Sequence, residues 1–152
     1  MNYSIILLTL FVPAITSLLR YPNYGDHIYL TKHSLMGFGE YYSHHGIYVG
    51  NNYLLDSPDD YHIIHYSTNF SKNKIEKTSL NNFIKPYHIR DLKIMEYNTR
   101  FDLFSIYSKK PHLPDKTILL AHQQLNTNNI NYYNSEYFAI YCKTGTNYSP
   151  SN

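Results

Sequence analysis

The sequence predicts an α+β domain in which an antiparallel sheet packs against helices. Two observations carry this. Strand-like segments come first, at residues 25–30, 44–49 and 61–66, whereas helix-start signals come late, after residue 113. The chain has 152 residues, 43% hydrophobic and 16% charged, which suffices for one compact core and not comfortably for two.

The elements follow in order. Gly25-Asp26-His27-Ile28-Tyr29-Leu30 opens the sheet, and Gly37 with Gly39 loosens the chain before the next strand. His45, Ile47 and Val49 alternate with His44, Gly46 and Tyr48, and Tyr61-His62-Ile63-Ile64-His65-Tyr66 is a second strand of similar length, so the two form a hairpin. Its connection is enlarged: Ser57-Pro58-Asp59-Asp60 is a turn signal, because proline presets φ and aspartate bonds its own backbone. Ser67 to Lys77 reads as a polar stretch, Ser79 to Ile84 as one helical turn, and Asp91 to Tyr97 as a further strand. Asp115 then caps a helix over 116–125, whose Ile118, Leu119, His122 and Leu125 keep helical spacing toward the sheet. Asn134 caps the last helix, 135–143, which Gly145 closes.

Composition removes several classes of function. Lys and Arg total 13 against 11 Asp and Glu, a formal charge of +2, so there is no basic field to hold a nucleic-acid backbone and no nucleic-acid partner is expected. The single cysteine, Cys142, excludes an internal disulfide and any CxxC metal or redox site. The 18 tyrosines accompany abundant Asn, Ile and Lys and read as compositional bias.

The first twenty residues stand apart. Ile5 to Leu19 carries no charge before Arg20, which suits a secretory apolar region of about 7–15 residues, with Val12-Pro13-Ala14 as a cleavage site. As a helix, Met1 to Leu19 would span roughly 28 Å, close to the roughly 30 Å hydrocarbon core, so an uncleaved anchor is the other reading. The expected organisation is residues 1–20 as signal peptide or N-terminal membrane anchor, 21–146 as the domain and 147–152 as a tail, in a secreted or membrane-associated protein. Sequons at Asn69-Phe70-Ser71 and Asn147-Tyr148-Ser149 fit a secreted route.

Chemistry concentrates in three places. Ser135, Phe138, Ala139 and Cys142 fall at i, i+3, i+4 and i+7 and share the buried face of the last helix. Ser135 lies in its first turn, where unpaired N–H groups and the positive end of the helix dipole stabilise a thiolate or a developing oxyanion. The hairpin supplies His44 and His65 on adjacent strands, one to act as base and the other to orient it. The pairs His44-His45 and His62-x-x-His65 are not expected to bind metal, because neighbouring and i+3 strand positions point to opposite faces.

Three ordered blocks, His44-His45-Gly46-Ile47-Tyr48-Val49-Gly50, Ile63-Ile64-His65-Tyr66 and Asn134-Ser135-Glu136-Tyr137-Phe138-Ala139-Ile140-Tyr141-Cys142-Lys143-Thr144-Gly145, resemble the lecithin:retinol acyltransferase (LRAT) family. The resemblance covers Gly25 to Gly145 and is strongest to plant-type members with a Gly-Asp-His-Ile start, a His-His-Gly-Ile-Tyr box and an NCEDFA-type helix. It implies a circularly permuted papain-like (NlpC-type) fold. It also implies thiol acyl transfer or phospholipase A hydrolysis through an acyl-enzyme, a phospholipid or acyl-lipid partner at a membrane surface, and no metal or organic cofactor.

Residue by residue, the resemblance gives His44 the place of the catalytic base and His65 that of the second histidine. The family nucleophile is the cysteine after Asn134, and here that position is Ser135. A thiol of pKa about 8.5 is brought to roughly 3.5–7.5 at a helix start, whereas a serine hydroxyl must lose its proton during attack. Cys142 does not replace it, since seven helical residues separate the two by roughly 10 Å; it reads as core. In the hairpin, the family's tight turn would put Asp56 where His65 should stand. The text after His65 follows the family, which makes Asn51 to Asp60 an insertion and leaves Asp56 as the alternative orienting residue. Two functions follow: a membrane-associated lipid-binding or interaction module without the thiol activity, or an active Ser–His acyl hydrolase or acyltransferase on phospholipids.

Overall fold

A computed structural model describes residues 21–33, 40–51, 61–69, 72–85, 91–97, 109–125, 127, 132 and 134–148. The apolar run Ile5–Leu19, Gly37 and Gly39, and the hairpin connection with Asp56 lie outside the described residues. Among the described residues five strands, β1 (His27–His33), β2 (Glu40–Asn51), β3 (Tyr61–Asn69), β4 (Lys72–Ser79) and β5 (Leu92–Ile94), form one sheet in the order β4-β3-β2-β1-β5. Every pairing is antiparallel. Among the described residues three helices accompany it, α1 (Leu80–Ile84), α2 (Pro114–Gln124) and α3 (Ser135–Thr144), and the α+β expectation holds.

The Ile-, Val- and Tyr-rich central strands bury side chains on both faces, the pattern of a sheet covered twice. On one face Ile47, Val49, Ile64, Tyr66 and Ile75 pack with Ile118 and Ala121 of α2 and Phe138, Ala139 and Cys142 of α3. On the other, Ile28, Leu30, Tyr48 and Ile63 pack with Leu80 and Phe83 of α1. The hairpin runs as expected, with a one-residue register shift between Tyr48 and Gly50. Gly50 stands there at φ 83, a left-handed conformation that glycine adopts without penalty.

Three expectations change. The polar stretch 67–77 contributes strand residues: β3 continues to Asn69, and β4 pairs along it from Lys72 to Ser79. Its lysines and single buried apolar residue, Ile75, suit the edge of a sheet, where charge deters further pairing. The strand at 91–97 shortens to Leu92–Ile94. On α2, Asp115 is not the cap: the helix starts at Pro114, preset for a first helical position, with Leu113 as N-cap and no side-chain cap bond. Its buried face is Thr117, Ile118 and Ala121, while Leu119 is 57% exposed; Thr117 is buried at no polar cost because its Oγ1 donates to the Leu113 carbonyl at 3.2 Å.

Helix α3 keeps its expected ends. Asn134 Oδ1 accepts the Tyr137 N–H at 3.0 Å, and Gly145, at φ 72, donates its N–H to the Tyr141 carbonyl at 2.7 Å. Replacing Asn134 with Ala is expected to cost about 1 kcal/mol, whereas Gly costs only a few tenths. Urea midpoints of the two variants check this; equal midpoints would mean that the cap contributes nothing.

Candidate active site

The site begins where two strands part. β2 and β3 pair from Asn51↔Tyr61 to Gly46↔His65, after which β2 continues along β1 to Glu40 and β3 continues along β4 to Asn69. Tyr48 donates its N–H toward β1, to the Asp26 carbonyl. Bonded pairs alternate along an antiparallel ladder, so the His45 N–H points the other way, into the gap. The β2–β3 pairing has ended at Gly46↔His65, and among the described residues Ser135 fills the position: its Oγ accepts the His45 N–H at 3.1 Å. The first residue of α3 is therefore seated in the fork of the sheet, 8% exposed, on the amide that joins His44 to His45.

His44 and His65 project on the α1 face of the same fork. Their rings meet edge to face with centroids 4.8 Å apart, and Phe83 stacks on His44 at 4.8 Å. Gly46 makes room for this: a Cβ there would come within 2.6 Å of Ile63 Cγ2 and 3.3 Å of His65 Cβ. Ser79 caps α1 by accepting the Asn82 N–H at 3.2 Å, which fixes the turn that carries Phe83. Among the described residues, Ser135 Oγ is hydrogen-bonded to the His45 amide and not to an imidazole.

Both imidazoles are held neutral near pH 7. Burial lowers His44, opposed by the Glu76 carboxylate. Burial and the neighbouring His44 bring His65 down to about 4, with Glu76 again acting upward. Glu76 sits directly across from His65 on β4, with Oε1 3.7 Å from His65 Nε2. Partial burial would raise its carboxyl, but hydrogen bonds from Lys74 and Ser67 outweigh that and hold it below the usual range. The sequence reading missed Glu76, because the contact depends on the cross-strand register of an unrecognised edge strand.

A second histidine pair lies on the α3 face. His27 Nε2 and His45 Nδ1 share a hydrogen bond at 2.8 Å, and His27 Nδ1 is 2.7 Å from Tyr97 Oη. Both histidines are buried. Burial lowers His27 well below its ordinary value and brings His45 to about 4. Cys142 is fully buried in the α3 core, where burial pushes its thiol far up, so it is no thiolate nucleophile. Among the described residues, no three His, Cys, Asp or Glu side chains are grouped to hold a metal ion.

The domain is mixed α+β: the first residue of α3 is seated where β2 and β3 part, and the touching imidazoles of His44 and His65 lie on the α1 face of the same fork. The Lecithin retinol acyltransferase family profile matches residues 20–148, and the chain belongs to that family. The family is of the papain-like NlpC/P60 type and has acyltransferase and phospholipase functions on lipid substrates. A search of curated proteins finds no match. The matched span leaves the apolar run Ile5–Leu19 outside it.

Proposed function

We propose that this chain is an LRAT-family protein that binds phospholipid acyl groups with its base half intact and lacks efficient thiol-type turnover because its nucleophile position is a hydroxyl. The observation that carries this is the state of Ser135: its Oγ is held by the His45 N–H, with no imidazole bonded to it among the described residues. A thiol at a helix start ionises before attack, whereas this hydroxyl must be deprotonated during it, which requires a direct approach by His44. The apolar segment Ile5–Leu19 supplies the membrane address in this reading; no described helix is long and apolar enough to cross a membrane.

A second reading is favoured by the neutral state of the two histidines, since a neutral imidazole is the form that accepts a proton. In it, His44 takes the Ser135 proton as Oγ attacks the acyl ester, His65 orients His44, and N–H groups of the first helical turn hold the oxyanion. The proton then passes to the departing lyso-lipid oxygen, and water releases the acyl group from Ser135.

Phospholipid hydrolysis by native protein, Ser135→Ala and Ser135→Cys, with fluorophosphonate labelling and vesicle co-sedimentation in parallel, separates the readings. The expected result is vesicle binding by all three and turnover by Ser135→Cys exceeding native on the order of 10²-fold or more, the range that base assistance typically contributes. Native turnover equal to that of Ser135→Cys, with labelling lost in Ser135→Ala, would establish the second reading. Inactivity of Ser135→Cys would show that more than the nucleophile is impaired, and absence of vesicle binding would remove the lipid-binding claim.

A further inference from the structure

Next to His65, on β4, stands a carboxylate that the family resemblance does not assign. We propose that Glu76 is a positioning residue that selects the tautomer of His65 and, through it, aligns His44 as a base. This deepens the function proposed above and rests on its reading of His44 and His65.

The geometry runs in one direction. Glu76 is opposite His65 in the β3–β4 register, 3.7 Å from Nε2. It is anchored from its own strand by Lys74 and from β3 by Ser67. A carboxylate so held is an acceptor only, so it favours the His65 tautomer that carries its proton on Nε2. Nδ1 of His65 is then a lone pair, and it is buried without a hydrogen-bond partner among the described residues. Two rings meet His65 edge to face, His44 and Phe83, and of these only His44 carries an N–H, the donor that such a lone pair would take. A His44 proton directed to His65 leaves the other His44 nitrogen as the basic one. Glu76 also faces the positive charge that develops if His44 takes up a proton, as its upward pull on His44 shows.

One other acceptor acts on the His65 ring, the Tyr66 backbone carbonyl, and the response of the tautomer to Glu76→Leu separates its pull from that of Glu76. The charged or titratable side chains acting on them, among the described residues, are Glu76 and Lys74 of β4 and His45, next along β2. α1 presents Phe83 and β1 contributes Leu30, neither of which titrates. Lys74 bears the wrong sign to orient an imidazolium, and its contact with Glu76 tethers the carboxylate.

Two-bond ¹H–¹⁵N spectra of ring-labelled protein at pH 7.5 test the proposal without requiring turnover. The native protein is expected to show His65 as the Nε2–H tautomer, and Glu76→Leu to shift it toward Nδ1–H. Glu76→Gln should keep the tautomer, because its amide oxygen still accepts, while His44 titrates at lower pH for loss of the facing charge. In a Ser135→Cys background, Glu76→Leu is expected to lower kcat on the order of 10²-fold with KM little changed. A native His65 carrying its proton on Nδ1, a tautomer unaltered in Glu76→Leu, or an unchanged His44 titration in Glu76→Gln would each overturn the role. Glu76→Gln, close in shape, keeps the test open where Glu76→Leu fails to fold. If Ser135→Cys is inactive while the tautomer behaves as expected, Glu76 keeps its positioning role and the proposed function falls instead.

Discussion

Acidification from pH 7 to pH 4.5 is expected to remove much of the stability of this domain before its carboxylates are protonated. His27, His44, His45 and His65 all sit below their ordinary value, chiefly because burial penalises the charged ring, and His45 and His65 lie at about 4. In the unfolded chain the same rings take up protons from about pH 6.5 downward. The stabilisation from keeping them neutral is therefore complete above that pH and is lost as the pH falls toward 4, since the unfolded state binds more protons throughout the window. For His45 or His65, a move from 6.5 to about 4 corresponds to about 3 kcal/mol, against about 5–15 kcal/mol for a typical domain. The rings interact, so their contributions do not simply add. Urea midpoints followed by circular dichroism from pH 8 to pH 4.5 measure the effect. A midpoint that stays level between pH 7 and pH 5 would show that the rings are not held neutral.

Phe138→Ala is expected to be the most damaging single truncation in the α3 core. Phe138 is fully buried between the sheet and the helix, packed with Ile47, Val49, Ile64 and Tyr66, and its ring stands 5.5 Å from that of Tyr132. Removing a buried phenyl group costs about 3–5 kcal/mol, because the transfer term and the residual cavity add. It lies one helical turn from Ser135, so the loss also loosens the seat of that residue in the fork. The variant should show a lower urea midpoint with an unchanged slope. A change below about 1 kcal/mol would mean that the core collapses to fill the space.

Much of the fold was readable because its signals are local. The caps of α3, the β-branched hairpin strands and the four-residue spacing of Ser135 and Ala139 are written in short stretches of chain. β4 was not readable, since Asn73-Lys74-Ile75-Glu76-Lys77 buries only Ile75 and an edge strand needs little more. The buried face of α2 was misread for a related reason: Thr117 is polar by identity but is satisfied within its own helix, whereas Leu119 is apolar and faces outward. Of the candidate site, His44, His65 and Ser135 could be named from ordered blocks of sequence. The links from Glu76 to His65 and from His27 to His45 could not, because both depend on cross-strand register, which is set by long-range pairing.

The parting of β2 and β3 has a consequence for what holds Ser135 in place. The serine hydroxyl stands in for a rung of the sheet, so its place in the fold is held by a hydrogen bond that does not depend on any reaction. The enlarged connection between the same two strands attaches at Asn51 and Tyr61, the opposite end of their pairing from Gly46 and His65. The connection and the candidate site are thus separated by the length of the ladder between them.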